Sequence, residues 1–284
     1  MQTATVALND IQTHYCTSGS GPAVVFVHGL AEDHRSWRRQ QDELTDHHTY
    51  AYDLRGHGAS TLGDADGTLA QLREDLIAFL AEVSGPAVCV GFSLGGTVVL
   101  SAAAQRPDLV TGVAVLGTSS VVGGAAAEFH QRRAEQVGDA AAVLDALRED
   151  TTAMLGRSTV DVDDVVARRA ESIGDGRGYA NAATAMAGLR GNPLTPELAA
   201  IKCPVTVIGG ENDALCPRKA ADILLEALPR ATYREIPGAG HLMTVDHPDA
   251  TTAALRDALS QGSYTPPTTR SRPAGVPRFR TPGP

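Results

Sequence analysis

Short apolar runs, rich in β-branched residues, alternate along the chain with longer segments in which apolar residues recur every three or four positions. The short runs predict β-strands, because buried strands are brief and favour branched side chains. Eight such runs occur, at residues 3–8, 11–16, 23–27, 49–52, 87–90, 112–116, 205–208 and 232–236. The first two are joined by Asn9-Asp10 and predict a hairpin. Taken together, the other six are largely apolar, as expected for strands covered by helices on both faces.

The longer segments predict the helices that cover these strands. They lie at about residues 34–46, 68–83, 94–105, 217–228 and 248–260. Strands that alternate with helices are typical of βα units around a parallel sheet. We therefore predict the α/β class, with an eight-stranded, mostly parallel sheet flanked by helices.

The alternation is interrupted between the sixth and seventh predicted strands. The 86 residues between Gly117 and Pro204 contain no convincing strand, and their composition favours four or five short helices. Insertions after strand ends often carry function. We predict a core of residues 1–117 and 201–260 with a helical cap, residues 118–200, over the active site. The alternative is a helical bundle that packs elsewhere.

The last 24 residues differ in composition from the rest of the chain. Residues 261–284 contain six of the sixteen prolines, four arginines and no acidic residue. Because this segment has few apolar groups to bury, burial cannot offset the entropy cost of ordering its backbone. We therefore predict a disordered tail. The whole chain has 24 basic and 33 acidic residues, a net charge of −9. This balance argues against nucleic acid as a partner, because phosphate binding requires clustered Lys and Arg.

The sequence gives no sign of a membrane span or of an oxidised compartment. The longest apolar runs are far shorter than the ~20 residues that cross a bilayer. The first basic residue is Arg35, so no secretory leader is predicted. The four cysteines are scattered and lack C-x-x-C spacing. We expect a cytoplasmic protein with reduced cysteines, no metal and no cofactor, whose partner is a small molecule; its oligomeric state is left open.

A glycine-rich segment, Gly91-Phe92-Ser93-Leu94-Gly95-Gly96, follows the fifth predicted strand and opens a helix. A serine at a tight strand-to-helix turn adopts a strained backbone and projects from the carboxyl edge of the sheet. The amides of the helix N-terminus favour negative charge beside it. We predict Ser93 as a nucleophile, with a helix-capping serine as the alternative.

A serine hydroxyl becomes a good nucleophile only when an oriented base accepts its proton. His241 lies in a Gly-Ala-Gly-His loop after the eighth predicted strand, at the same edge of the sheet as Ser93. The loop after the seventh strand contains two carboxylates, Glu211 and Asp213. We predict that His241 is the base and that Asp213 orients it, with Glu211 as the alternative acid.

The oxyanion that forms on a substrate also requires hydrogen-bond donors. His28-Gly29-Leu30 follows the third predicted strand, and its glycine allows the backbone to turn its amides toward the site. We predict that the amides of Leu30 and Leu94 form the oxyanion hole. His28 is interpreted as a structural residue of this loop.

These segments, in this order, resemble the α/β-hydrolase superfamily over nearly all of residues 1–260. The matching features are the His28-Gly29 loop with Trp37 beyond it, the sequence DLRGHGAS at 53–60, the elbow around Ser93, Gly210–Asp213 and Gly240-His241. The resemblance implies hydrolysis through an acyl-enzyme on Ser93 and structural roles for Arg55 and His57. Within the superfamily the chain resembles 3-oxoadipate enol-lactonases and the esterases and C–C bond hydrolases grouped around them.

The sequence and this resemblance leave several activities open. We expect hydrolysis of a small carboxylic ester or lactone. C–C bond hydrolysis of a vinylogous diketone would require a cationic pocket group, for which Arg190 is the candidate. A cofactor-free perhydrolase and a non-catalytic ligand-sensing relative are further alternatives. The arginine pairs Arg132-Arg133 and Arg168-Arg169 are interpreted as solvated helix faces.

Overall fold

The computed structural model describes residues 1–155 and 159–261. Within these residues, eight strands form one sheet: β1 Gln2–Leu8, β2 Ile11–Ser18, β3 Ala23–Val27, β4 His48–Tyr52, β5 Ala87–Phe92, β6 Val110–Leu116, β7 Val205–Gly210 and β8 Thr232–Ile236. Their order is β1-β2-β4-β3-β5-β6-β7-β8. Strand β2 pairs antiparallel with β1 and β4, and the other neighbours are parallel. The predicted fold class is confirmed; the predicted tail lies outside the described residues, apart from Gln261.

Helices connect the parallel strands. In the described part of the chain the α-helices are α1 Arg38–Glu43, α2 Leu69–Phe79, α3 Leu94–Gln105, α4 Gly124–Glu135, α5 Ala140–Met154, α6 Val162–Ile173, α7 Arg177–Gly188, α8 Arg218–Ala227, α9 Met243–Asp246 and α10 Pro248–Gln261. Shorter 3-10 helices span His34–Trp37 and Thr195–Ala200, and a π-helical turn, Leu80–Ser84, extends α2. Over the two described ranges, no helix combines the length and apolar character that crossing a membrane requires.

Both faces of the sheet are buried at its central strands, whereas most residues of the edge strands β1 and β8 are exposed. Successive residues of a strand point to opposite faces, so Val25 and Val27 of β3 belong to one hydrophobic cluster, with Leu76 of α2. Val24 belongs to a second cluster, with Leu255 of α10. Helices therefore cover both faces, which leaves the strand ends and their loops as the place where polar side chains can meet.

Helices α4 to α7, which we call the cap, lie between β6 and β7 in the chain. Helices α5 to α7 contribute to a small hydrophobic cluster that includes Val166 and Tyr179 from the cap and Ala31 from the loop after β3. The Ser172 hydroxyl donates to Asp33 Oδ2 at 2.8 Å. The cap therefore packs against the loop at the carboxyl end of β3.

Candidate active site

The turn between β5 and α3 holds Ser93 in a backbone conformation that few non-glycine residues adopt. Its φ and ψ are +52° and −119°; among the described residues, Asn9 and Ala31 are the other non-glycine residues with positive φ. The Ser93 amide donates to the Leu116 carbonyl at 2.8 Å, and the Thr118 hydroxyl donates to the Ser93 carbonyl at 3.2 Å. Strained residues that their neighbours hold in place are a common feature of active sites.

The glycines that follow Ser93 are required by close packing of the backbone. A Cβ atom at Gly95 would overlap the carbonyl oxygen of Val27, and one at Gly96 would overlap the Thr118 hydroxyl. Helix α3 thus approaches β3 and the loop after β6 so closely that a larger residue would displace it. The glycine pattern in the sequence has a steric cause.

Three side chains predicted from separate segments lie in one hydrogen-bonded row. His241 Nε2 lies 3.1 Å from Ser93 Oγ, and His241 Nδ1 lies 2.8 Å from Asp213 Oδ2. Because an ionised carboxylate can only accept, Nδ1 carries a proton and donates to Asp213, which leaves Nε2 as an acceptor for the Ser93 hydroxyl. The side chains of His241 and Asp213 are 2% and 0% exposed, so water screens the pair little.

The Asp213 carboxylate is held by the backbone as well as by His241. Its Oδ1 accepts hydrogen bonds from the amides of Leu215 at 2.9 Å and Cys216 at 2.8 Å. Burial alone would raise the pKa of Asp213, but the His241 imidazole and the two amides outweigh burial and hold that pKa below its usual value. The carboxylate is therefore ionised at neutral pH and keeps the imidazole ring in one orientation.

Glu211, the alternative acid, makes a different contact. Its Oε2 accepts a hydrogen bond at 2.7 Å from the amide of Gly238, in the loop that carries His241. The same loop is held from the cap, because the His241 amide donates at 2.7 Å to the carbonyl of Met154 at the end of α5. Of the two carboxylates, the structure places Asp213 against the His241 ring and Glu211 against its loop.

A glycine that the sequence analysis did not single out also shapes the site. Gly117 follows β6 with a φ of +52°, which L-residues disfavour. A Cβ atom there would lie 3.0 Å from Asp213 Oδ2 and 3.2 Å from His241 Nδ1. Gly117 therefore leaves room for the paired side chains. The available signal was a glycine directly after the buried strand that neighbours the Ser93 strand.

The loop after β3 forms another wall of the site. His28 is fully buried, and the Leu54 amide donates to its Nε2 at 2.9 Å. Nδ1 therefore carries the proton and donates to the Gly29 carbonyl at 2.8 Å. This bond fixes the segment that contains Leu30, whose side chain lines the cavity described below. Leu94 is the first residue of α3; the role of these two leucine amides as oxyanion donors stays a prediction.

Arg55 and His57 lie outside this row of side chains. Arg55 forms a buried two-bond ion pair with Asp75, at 2.7 Å and 2.8 Å. Burial lowers the pKa of His57 to about 4, and its Nδ1 lies 3.1 Å from the Arg55 carbonyl. Both residues stabilise the loop after β4.

A small cavity of about 20 Å³ lies between the core and the cap. Ser93, His241 and Leu30 line it from the core, and Phe129 and Tyr179 line it from the cap. A cavity of this size holds little more than one water molecule. A larger groove of about 710 Å³ at residues 198–205 and 226–231 contains none of the three aligned side chains.

The interpretation of the two arginine pairs as solvated is confirmed for Arg132 and Arg168, which are exposed, and is wrong for Arg133 and Arg169, which are buried. Arg133 is 7% exposed and Arg169 is 5% exposed, because both lie on the inner faces of their helices. Arg133 forms a two-bond ion pair with Asp150, at 2.9 Å and 2.6 Å. Arg169 lines the cavity at Ser93. Arg190, the predicted cationic group, is exposed and lies outside the cavity lining, so that assignment was also wrong.

One cluster among the described residues has a spacing that could hold a metal ion. His14, His34 and Asp53 offer ligand atoms within 4.8 Å of one another. Contacts within the chain account for this arrangement, since His34 Nδ1 lies 2.7 Å from Asp53 Oδ1 and the Ala59 amide donates to Asp53 Oδ2 at 3.0 Å. The row of hydrogen bonds at Ser93 uses none of these groups.

The family model described as alpha/beta hydrolase fold matches residues 22–248. The chain belongs to the α/β-hydrolase family. The matched segment includes Ser93, Asp213 and His241, and it confirms the resemblance that the sequence motifs indicated.

Proteins similar to this hydrolase include an enol-lactonase and an esterase. The chain is 28% identical over 263 residues to 3-oxoadipate enol-lactonase 2 of Acinetobacter baylyi, covering 90% of this chain and 96% of that protein. It is 32% identical over 255 residues to the pimeloyl-[acyl-carrier protein] methyl ester esterase of Chromobacterium violaceum, covering 86% and 96%. The crystal structure of the enol-lactonase from Burkholderia xenovorans LB400 matches with a TM-score of 0.80 at 27% identity, covering 90% of this chain and all of that one.

Proposed function

We propose that this hydrolase cleaves a small carboxylic ester or lactone through an acyl-enzyme on Ser93. The observation that carries the proposal is the row of hydrogen bonds from Ser93 Oγ through His241 to Asp213, at 3.1 Å and 2.8 Å. The names of the similar proteins, an enol-lactonase and a methyl ester esterase, support an ester-type C–O bond as the target.

In the acylation step, Ser93 Oγ bonds to the substrate carbonyl carbon while His241 Nε2 takes its proton. The carbonyl oxygen becomes negatively charged, and the amides of Leu30 and Leu94 stabilise it, each by about 3 kcal/mol. The C–O bond then breaks, and the proton on His241 passes to the leaving alcohol. Asp213 stabilises the imidazolium between these two transfers. In a lactone, the alcohol stays attached to the acyl group.

Water completes the reaction by the same sequence of transfers. His241 accepts a proton from water as the water oxygen bonds to the acyl carbon. The bond to Ser93 Oγ breaks, and His241 returns the proton to that oxygen. The products are a carboxylic acid and an alcohol, or one hydroxy or keto acid from a lactone, and the protein regains its starting state.

The cavity favours a small substrate that enters when cap side chains move. At about 20 Å³ it cannot hold an ester in the conformation described here. Phe129, Met154 and Tyr179 bound it from the cap and are the side chains that a substrate displaces. Their closure over a bound ester would exclude bulk water, which strengthens the hydrogen bonds around the oxyanion.

Hydrolysis of short-chain p-nitrophenyl esters, measured by p-nitrophenolate release, tests the proposal. Ser93→Ala should lower kcat by on the order of 10⁴-fold or more, because only oxyanion stabilisation and binding remain. Ser101→Ala is the matched control, since Ser101 is a buried α3 serine whose hydroxyl lacks a hydrogen-bond partner within the described residues. It should retain the parent rate.

Equal turnover by Ser93→Ala and the parent protein would contradict the proposal. Cleavage of a vinylogous diketone, with no turnover of any ester, would assign C–C bond hydrolysis to the same site instead.

A further inference from the structure

A buried arginine that has no ion-pair partner among the described residues lines the cavity at Ser93. Arg169 lies on α6 and is 5% exposed. Its Nη1 lies 3.6 Å from the Met154 sulfur, and its Nε has no hydrogen-bond partner in the described part of the chain. Within the same residues, no carboxylate forms an ion pair with it. Because a guanidinium stays charged in proteins, burying it without an anion is unfavourable.

The carboxyl groups near Arg169 are engaged elsewhere. Both oxygens of Asp150 accept hydrogen bonds from Arg133. Glu32 interacts electrostatically with Arg169, which lowers the pKa of the Glu32 carboxyl, but burial outweighs this interaction and raises that pKa; no ion pair within 4 Å joins the two described side chains. Glu32 Oε2 also accepts a hydrogen bond from the Gly29 amide at 3.0 Å. Neither group supplies Arg169 with a close carboxylate.

The other titratable side chains around the cavity leave this charge uncompensated. Burial lowers the pKa of His130 to about 4 and raises that of Tyr179 to about 12, so both are neutral at pH 7. Asp213 is ionised, but it is bound to the far nitrogen of the His241 ring and is absent from the described cavity lining. The described cavity lining therefore contains one carboxylate, Asp150, which is paired with Arg133, and one guanidinium, Arg169, for which the described residues provide no ion-pair partner.

We propose that Arg169 binds a carboxylate group of the substrate, so that the bond cleaved at Ser93 belongs to an ester or lactone that carries a free acid. This inference rests on the proposed function and narrows it. A guanidinium presents parallel N–H groups that match the two oxygens of a carboxylate. The low dielectric of a buried cavity strengthens such a pair. The substrate carboxylate would thus be the ion-pair partner of Arg169, which none of the described residues provides.

Matched esters that differ only in charge test the inference. The monomethyl and dimethyl esters of succinate, glutarate and adipate share a carbon chain at each length, but only the monomethyl ester carries a carboxylate at pH 7. At the preferred chain length, we expect kcat/KM of the parent protein to be about 10- to 100-fold higher for the monomethyl ester than for the dimethyl ester. A difference of this size corresponds to one charge-assisted hydrogen-bonded pair.

Variants at two neighbouring arginines assign the preference to a residue. Arg169→Gln should remove it, and Arg169→Lys should retain part of it. Arg168→Gln is the matched control, because Arg168 lies next on α6 and is exposed; it should keep the parental ratio of kcat/KM values. Equal values for the two esters at every length in the parent, or equal ratios in Arg169→Gln and Arg168→Gln, would overturn the inference.

A binding measurement separates failure of this inference from failure of the proposed function. Titration calorimetry with glutarate and adipate requires no turnover, and Kd should be at least about tenfold weaker in Arg169→Gln than in Arg168→Gln. Dicarboxylate binding through Arg169 without any ester turnover would support the inference about the ligand and contradict the proposed function. Turnover that depends on Ser93, with neither charge preference nor dicarboxylate binding, would contradict the role of Arg169 alone.

Discussion

On the core side of the cavity, Ser93, His241 and Asp213 are joined by hydrogen bonds of 3.1 Å and 2.8 Å. On the cap side, Arg169 Nε and His130 Nδ1 have no hydrogen-bond partner within residues 1–155 and 159–261. The core groups are therefore oriented before any ligand arrives, whereas the cap presents polar atoms that a ligand could satisfy. This contrast agrees with our proposal that core residues catalyse the reaction and that cap residues bind the substrate.

Changing the acid on the core side should have the largest effect. In Asp213→Asn, the amide can still accept from the Leu215 and Cys216 amides, but it no longer favours a proton on His241 Nδ1. We expect kcat for a short-chain ester to fall on the order of 10⁴-fold through loss of the correct tautomer. Glu211→Gln is the control, because the side-chain carbonyl of the new glutamine can still accept the hydrogen bond from the Gly238 amide.

The control should change kcat by less than about tenfold. A loss in Glu211→Gln as large as the loss in Asp213→Asn would show that the acid had been assigned to the wrong carboxylate.

The two buried cap arginines should differ in their effect on stability. Arg133→Met leaves the buried Asp150 carboxylate without its two-bond partner, so the free energy of unfolding should fall by about 3–5 kcal/mol. Arg169→Met removes a charge with no ion-pair partner among the described residues, so stability should be unchanged or higher. Urea unfolding followed by circular dichroism measures both. A comparable loss in Arg169→Met would indicate that its charge has a structural partner.

A smaller, pH-dependent effect is expected at Asp33, which joins the core to the cap. Burial would raise the pKa of Asp33, but hydrogen bonds from Arg35 and Ser172 outweigh burial and lower it to about 2, from 3.8. Because the folded-state pKa is the lower one, the carboxylate stabilises the protein fully above about pH 4, and this contribution is lost as pH falls toward 2. The difference corresponds to about 2 kcal/mol.

Asp33→Asn should therefore reduce the free energy of unfolding by about 2 kcal/mol at pH 7 and by progressively less between pH 4 and pH 2. Asp42→Asn, at an exposed position in α1, is the control and should leave stability nearly unchanged. If the difference in free energy of unfolding between Asp33→Asn and the parent did not vary with pH, the stabilisation by Asp33 would not be electrostatic in origin.

The sheet could be predicted closely because buried apolar runs have few alternatives. Every predicted strand lies within two residues of the observed one at each end. Strand β5 is longer than predicted because Gly91 and Phe92 still pair with Val115 and Leu116 of β6. Apolar spacing could not reveal that the helix predicted at 34–46 divides into a 3-10 segment and α1, because this division depends on local hydrogen bonds.

The residues at the ends of strands could be predicted for a similar reason. Ser93, Asp213 and His241 each follow a recognisable strand, and parallel strands bring their carboxyl ends to one edge. The cap was harder, because its helices carry charged residues on several faces. The burial of Arg169 could have been predicted from the spacing of apolar residues around it. On the same helix face, Val165 lies four residues and Val166 three residues before Arg169, and Ile173 lies four residues after it. What that face contacts depends on how the cap packs, which spacing alone does not determine.

Covalent labelling with a neutral fluorophosphonate, followed by intact mass measurement and peptide mapping, tests the nucleophile most directly. The account predicts one adduct per chain, located on Ser93, lost in Ser93→Ala and formed more slowly in Asp213→Asn, because His241 activates the hydroxyl. An adduct on another residue, or undiminished labelling of Ser93→Ala, would contradict the account.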